Sequence, residues 1–199
     1  MSKVKKHSDK SATKGQIRII SGQYRGRKLP VLMADGLRPT TDRVKETVFN
    51  WLMPYIQDTN CLDCFAGSGG LGFEAMSRGA SYVTLVELNK PAAQQLKDNK
   101  ALLQADSIQV VQQNALDFLK NNQQNYSLVF IDPPFRKGLA QQTAELLSEK
   151  GLTDDALIYV EMEADHNEQI MPSHWQLLKE KVTGQVIYRL YRNSVTQPS

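Results

Sequence analysis

The chain has 199 residues, 41% of them hydrophobic and 23% charged, with 24 Lys and Arg against 21 Asp and Glu for a net charge of +3. That is enough chain for one domain with its own core. No run approaches the roughly 18 apolar residues of a membrane span, and the Lys-rich start lacks the apolar h-region of a secretory signal, so no membrane partner and a cytoplasmic location are expected.

Residues 1–15 are polar, Lys/Ser-rich and aperiodic, the composition of a basic tail that is disordered without a partner. Gln16-Ile-Arg-Ile-Ile-Ser alternates weakly as a strand. Gly22-Gln-Tyr-Arg-Gly26 reads as a turn, and Arg27-Lys-Leu-Pro-Val-Leu as the return strand of a small hairpin. Residues 1–45 hold twelve Lys and Arg against three Asp, a net of +9, whereas the remaining 154 are net −6. So uneven a balance points to a polyanionic partner. In the hairpin, Arg25, Arg27 and Lys28 stand beside Tyr24 and two glycines, and nucleic acid is the favoured reading over a solvated face.

Gly36-Leu-Arg-Pro-Thr-Thr-Asp42 is a loop. Thr41 or Asp42 can cap the next helix, with Glu46 in capping-box position. Val44, Val48, Phe49, Leu52 and Met53 form its apolar stripe, and Lys45, one position off that stripe, reads as solvated. From residue 59 strands and helices alternate. Strands are expected near 59–64, 81–87, 107–112, 126–131 and 156–162, and helices near 70–78, 89–104, 114–121 and 138–149. Alternation of this kind implies βαβ units and a parallel sheet. The chain ends in a hairpin, Trp175 to Val182 and Gln185 to Tyr191 about Thr183-Gly184, expected to bring an antiparallel strand to that sheet. The division is a tail over 1–15 and one domain over 16–195, in which 16–58 carry the hairpin, loop and helix and 59–195 the core.

Three strand ends carry the chemistry. Asp63-Cys-Phe-Ala-Gly-Ser-Gly-Gly-Leu-Gly72 joins a strand to a helix, and Gly67, Gly69 and Gly72 match G-x-G-x-x-G. Such a turn lets backbone approach a ligand, though alone it also describes a tight turn that binds nothing. Glu87 ends the second strand, 20 positions after Gly67, where a carboxylate can take a ribose diol. Tyr126 to Ile131 runs into Asp132-Pro-Pro-Phe135. The two prolines remove N–H donors and leave the Asp132 carboxylate and the carbonyls of Asp132 and Pro133 as acceptors. Acceptors gathered at one point suit an exocyclic amine, and Phe135 offers a face for a flat base. Cys61 and Cys64 have C-x-x-C spacing but no further cysteine to complete a zinc site, and they read as packing residues.

Asp63-x-Phe-Ala-Gly-Ser-Gly-x-Leu-Gly72, Glu87 and Asp132-Pro-Pro-Phe135, in this order, resemble the class I S-adenosylmethionine-dependent methyltransferases. Arg18-Ile-Ile-Ser-Gly-x-Tyr-Arg-Gly-Arg-Lys-Leu29 and Leu37-Arg-Pro-Thr-Thr-Asp-Arg-Val-Lys-Glu-Thr-Val-Phe-Asn50 are similar to the N-terminal signatures of the bacterial 16S rRNA guanine-N2 methyltransferases of the RsmD type. The resemblance spans residues 16–192. It implies a Rossmann-like α/β fold with a seven-stranded, mostly parallel sheet, a C-terminal antiparallel hairpin and a small basic N-terminal hairpin. It implies that Asp63, Phe65, Gly67 and Gly69 surround the methionine part of S-adenosylmethionine, that Glu87 takes the ribose, and that Leu88, Asn114 and Ala115 meet the adenine. Asn114 stands where the family often has an acid, and its side-chain carbonyl is expected to accept the adenine amino group. Asp132, Pro133 and Phe135 are the implied catalytic residues. Arg38, Thr40 and Arg43, with the hairpin residues above, are the implied RNA contacts. The implied substrate is one guanine of 16S rRNA in an assembled or partly assembled small ribosomal subunit, with a monomeric enzyme and no metal.

Other readings share parts of this pattern. A dinucleotide-dependent oxidoreductase shares the glycine loop and downstream acid but not Asp-Pro-Pro-Phe. An adenine-N6 or glutamine-amide methyltransferase typically carries Asn-Pro-Pro-Tyr. A non-catalytic RNA-binding protein has no need of an intact loop, acid and acceptor turn together.

Overall fold

The computed structural model describes residues 14–32, 42–135, 137–164 and 171–194. Arg38, Thr40, the 36–41 loop and residues 1–13 of the expected tail lie outside these residues. The element order is β1 (Lys14–Arg18), β2 (Lys28–Leu32), α1 (Asp42–Leu52), β3 (Asn60–Asp63), α2 (Gly70–Ser77), β4 (Tyr82–Glu87), α3 (Lys90–Leu103), β5 (Ile108–Gln112), α4 (Ala115–Asn121), β6 (Tyr126–Ile131), α5 (Leu139–Glu149), β7 (Leu152–Glu163), β8 (Trp175–Thr183) and β9 (Val186–Asn193).

Seven strands form one sheet in the order β5-β4-β3-β6-β7-β9-β8. Strands β3 to β7 pair in parallel, and β9 lies antiparallel to both β7 and β8. Chain order reverses between β3 and β6, the switch point at which open α/β sheets leave a crevice above their carboxyl ends. Strand alternation divides the core in two. Cys61, Leu85, Phe130 and Tyr159 belong to the side with α1, α2 and α3, while Leu62, Val86, Ile131 and Val160 belong to the side with α4 and α5. The two cysteines follow the same rule: both are buried free thiols, Cys61 in one layer and Cys64 in the other. An aromatic row from Phe49 on α1 through Phe130 and Tyr159 to Tyr188 on β9, with ring centroids 5.9, 6.1 and 6.4 Å apart, joins α1 to the sheet. No helix among the described residues is long and apolar enough to cross a membrane.

Local signals set the helix ends. The Asn89 side chain caps α3 by accepting from the Ala92 N–H at 3.0 Å, a proline stands in its first turn, and Gln104 closes it in the left-handed region. Strand β7 starts at Leu152, earlier than the expected 156, because a pairing irregularity before Leu128 and a positive φ of 60° at Asp155 let the chain bend and still rejoin β6. Asp tolerates that backbone region better than most residues. Helix α1 differs from its expected stripe in two places. Met53 falls beyond its last turn and is 67% exposed. Lys45 is 1% exposed rather than solvated: its ammonium donates to the Arg18 carbonyl oxygen at 2.6 Å and sits 3.3 Å from the Asp42 carboxylate.

The N-terminal hairpin, paired from Lys14↔Leu32 to Arg18↔Lys28, buries Ile17, Ile19, Leu29 and Val31 in the α1/α2/α3 layer. Glu74 of α2, fully buried, anchors it by accepting from the Ile20 N–H at 2.8 Å, the Ser21 N–H at 3.1 Å and Arg78 Nε at 2.7 Å. The turn sits on the end of α2. A Cβ at Gly22, where φ is +81°, would stand 1.7 Å from the Ser77 carbonyl oxygen, so only glycine fits.

Candidate active site

Four carboxylates converge at the carboxyl edge of the sheet. Asp63, Glu87, Asp132 and Glu161 each stand two residues beyond a member of the α1/α2/α3 layer (Cys61, Leu85, Phe130 and Tyr159), so alternation points all four to that face. Register sets their heights. Asp63 pairs with Leu85 and with Phe130, which places Glu87 and Asp132 one pleat above it on either side. Ile131 pairs with Val160, so Asp132 and Glu161 follow level with each other on neighbouring strands, about 5 Å apart at the backbone.

The glycine loop is tied to these acids by backbone. Gly67 N–H donates to Glu87 Oε2 at 2.8 Å, and Asn89 N–H donates to Glu87 Oε1 at 2.7 Å. Each carboxylate oxygen keeps a further lone pair. Gly72 N–H donates to Asp63 Oδ2 at 3.2 Å. Asp63 is buried, and its Oδ1 has no partner. Burial first, and the charge of Asp132 second, push its carboxyl up to about 7. Gly72 is a packing glycine: a Cβ there would lie 2.2 Å from Leu85 Cδ2.

Around this loop, Phe65 is half-buried and Ala115 buried, while Leu88 is exposed beside Glu87. The Asn114 side-chain oxygen accepts from the Leu116 N–H at 2.9 Å and the Asp117 N–H at 3.3 Å. Capping α4 uses both lone pairs of the carbonyl that was expected to meet an adenine amino group. Asn in place of an acid therefore works here as a helix cap.

On the other side of Asp132, Pro133 is buried and Phe135 is 45% exposed. A shallow, open depression is lined by Pro133, Phe135, Leu139 at the start of α5, Glu161 and Glu163. Glu161 is the residue that sequence reasoning passed over. Tyr159 O–H donates to its Oε2 at 3.2 Å, and burial followed by the charge of Asp132 pushes its carboxyl up to about 8.

The basic residues divide. Arg43 is exposed in the first turn of α1. That end of α1 lies at the site, since Lys45 Cδ is 3.9 Å from where a Gly70 Cβ would stand. Arg25, Arg27 and Lys28 are exposed at the other end of α2, eight residues or about 12 Å away. There the Gln23 N–H donates to the Ser77 carbonyl and the Tyr24 N–H to Ser77 Oγ, and Arg27 Nη2 donates to the Leu102 carbonyl near the end of α3. These three residues are not brought to Asp132.

The family model described as conserved hypothetical protein 95 matches residues 17–192. The ribosomal RNA small subunit methyltransferase D of Haemophilus influenzae is 58% identical over 185 residues, covering 90% of this chain and 95% of that protein. A solved structure described as a putative methyltransferase yhhF from Escherichia coli superposes with a TM-score of 0.84 at 55% identity, covering 92% of this chain and all of that one. The fold extends to the putative methyltransferase SMU.776 complexed with SAH, at a TM-score of 0.65 and 18% identity over 83% of this chain and 53% of that one.

Proposed function

The chain belongs to the conserved hypothetical protein 95 family, that of the RsmD-type ribosomal RNA small subunit methyltransferases, and on that premise we propose that it transfers a methyl group from S-adenosylmethionine to the exocyclic N2 of a guanine in 16S rRNA. One observation carries the reading. The acceptor-rich turn at Asp132-Pro133-Pro134 opens beside the glycine loop, on the same edge and face as Asp63 and Glu87.

The residues present fit the cofactor. An edge lined by carboxylates suits a molecule whose sulfonium and ammonium are both cationic. Glu87 retains lone pairs for a ribose diol, and the unpartnered Asp63 Oδ1 is a buried acceptor in want of a donor. Asp63, Phe65, Gly67 and Gly69 would line the methionine part, with Leu88 and Ala115 toward the adenine. When bound, the cofactor supplies a methyl group on an electrophilic sulfur.

The chain's own work is positioning, which supplies much of the rate in such a transfer. Asp132 and the Pro133 carbonyl take the two hydrogens of N2, which turns its lone pair away from them. Phe135 stacks on the base once it has left its helix. As N2 gains positive charge, the Asp132 carboxylate stabilises it, and Asp132 or water receives the proton. Arg43 would meet RNA at the site, Arg38 and Thr40 are further proposed RNA contacts, and Arg25 and Lys28 would hold phosphates at a second point behind α2.

The test is methyl transfer from labelled S-adenosylmethionine to small subunits lacking the modification, with naked 16S rRNA in parallel and the labelled nucleoside identified after digestion. N2-methylguanosine at one site is expected, with the particle preferred. Label in methyladenosine would overturn the guanine assignment, and loss of cofactor binding would overturn the enzyme.

A further inference from the structure

Glu161 has no part in the reaction as laid out above, yet it is placed as closely as Asp132. The two stand level on adjacent strands and on the same face, and Glu161 lines the depression with Pro133 and Phe135, the residues that follow Asp132 in the acceptor turn. Tyr159, itself buried between Phe130 and Tyr188, orients Glu161 through Oε2. Among the described residues Tyr159 is the only group that donates to it. Burial and the charge of Asp132 push its carboxyl up to about 8. An N–H brought to it favours the ionised form, and its discrimination between bases is expected in full above that pH, where Glu161 is a carboxylate.

A pair of carboxylates set side by side is an acceptor–acceptor surface. Guanine alone among the four RNA bases offers adjacent donors on one ring edge, N1–H beside the N2 amine. Adenine and cytosine set a ring-nitrogen acceptor next to their amine, and uracil has no amine. We propose that Glu161 accepts the N1–H of the target guanine while Asp132 and the Pro133 carbonyl hold the N2 hydrogens. This rests on the guanine-N2 reading and adds to it the residue that selects the base. A base with an acceptor at N1 leaves Glu161 facing a lone pair, and a buried polar group left unpaired is the strongest form of rejection available to a binding site.

The test uses small subunits reconstituted with a ligated 16S rRNA that carries either guanine or 2-aminopurine at the target position. The 2-aminopurine base keeps the N2 amine but presents an acceptor at N1. The ratio of kcat/KM for the two particles is measured for the wild type, Glu161→Gln, Glu161→Ala and Tyr159→Phe. The wild type is expected to favour guanine by about tenfold or more, the scale of one good hydrogen-bond pair to a base. Glu161→Gln turns an N–H toward N1 and reverses or abolishes the preference. Glu161→Ala narrows it without reversal, and Tyr159→Phe, which frees the carboxylate, narrows it in part. A purely structural Glu161 would lower both rates and leave the ratio alone. An equal rate on both particles by the wild type overturns the proposal without any variant, as does an unchanged ratio in every variant. A wild type that makes no N2-methylguanosine on the guanine particle overturns the guanine reading itself, and this inference with it.

Discussion

The backbone N–H of Gly67 donates to the Glu87 carboxylate at 2.8 Å, so the glycine loop after β3 and the acid that ends β4 are joined within the protein itself. Glu87 thus holds the loop in shape and faces the ribose side of the proposed cofactor site. Glu87→Gln removes one acceptor oxygen and the charge. Hydrogen bonds to charged groups contribute about 1.5–3 kcal/mol, so the Kd for S-adenosylhomocysteine is expected to rise by about ten- to a hundredfold in calorimetric titration. An affinity equal to that of the wild type would remove Glu87 from the site.

Gly72 is expected to act through packing. A Cβ at this position meets Leu85 Cδ2 at 2.2 Å and Val83 Cγ1 at 3.3 Å, and both residues are fully buried. Overpacking of this kind costs about 1–3 kcal/mol. Gly72→Ala is therefore expected to lower Tm by roughly 2–12 °C, at the few degrees per kcal/mol typical of a chain this long. The same substitution at Gly184, where nothing lies within 4 Å, strains only a local φ of +61° and serves as the comparison. Gly72 itself has an ordinary helical φ, so a loss there no larger than at Gly184 would mean that Leu85 and Val83 make room for the added methyl.

Lys45 and Glu74 mark the limit of what the sequence shows. The parallel sheet, the closing hairpin, the glycine loop and three of the four cleft acids were legible, because each rests on local signals: alternation, turn residues, a strand that ends in an acid. Lys45 was not legible. Its partner is a backbone carbonyl at Arg18, 27 positions away, and nothing in a helical wheel announces that the hairpin will cover it. Glu74 reads as an ordinary helix-surface acid until the hairpin brings two N–H groups to it. Glu161 was hidden for a related reason. It lies inside β7, two residues short of the Glu163 that ends the strand, and has no turn motif beside it, so only the β6–β7 register sets it level with Asp132.

The Lys45 contact can be tested by substitution. Lys45→Met keeps the stem but leaves the Arg18 carbonyl without its donor and Asp42 with Arg18 as its remaining cation. An unsatisfied buried acceptor costs about 1–3 kcal/mol. Tm is expected to fall, and amide exchange in β1 and β2 to rise ahead of exchange in β3 and β6, because the hairpin would open on its own. Uniform exchange throughout the sheet would instead mean that Lys45 serves the whole fold.

The raised carboxyls predict an unusual pH dependence. Glu161 moves from 4.5 to about 8 on folding, with Asp132 facing it from the end of β6, Tyr159 beside it on β7 and Tyr188 opposite on β9. Between those values the folded state binds more protons than the unfolded state, so this group's contribution to stability falls as pH rises through the window. Asp63, moved from 3.8 to about 7 with Asp132 and Glu87 near it, acts in the same direction. Glu161→Gln stays neutral throughout. Its Tm relative to wild type is therefore expected to climb from about pH 4.5 to about pH 8 and then level off. A difference independent of pH would show that Glu161 does not titrate there.

Phe135 separates stacking from packing. The side chain is 45% exposed beside the depression at Pro133 and Glu161, so it contributes little to the core, and Phe135→Ala should leave Tm within about 1 kcal/mol equivalent of the wild type. Loss of an aromatic platform under a base costs about 1–3 kcal/mol per stacked base. The expected result is a fall of about five- to a hundredfold in kcat/KM for subunit methylation, with S-adenosylhomocysteine affinity unchanged and most of the rate restored by Phe135→Tyr. A drop in Tm with activity retained would instead make Phe135 a lid over the α5 start. A drop in cofactor affinity would move it to the other side of Asp132, against the order in which the acceptor turn places them.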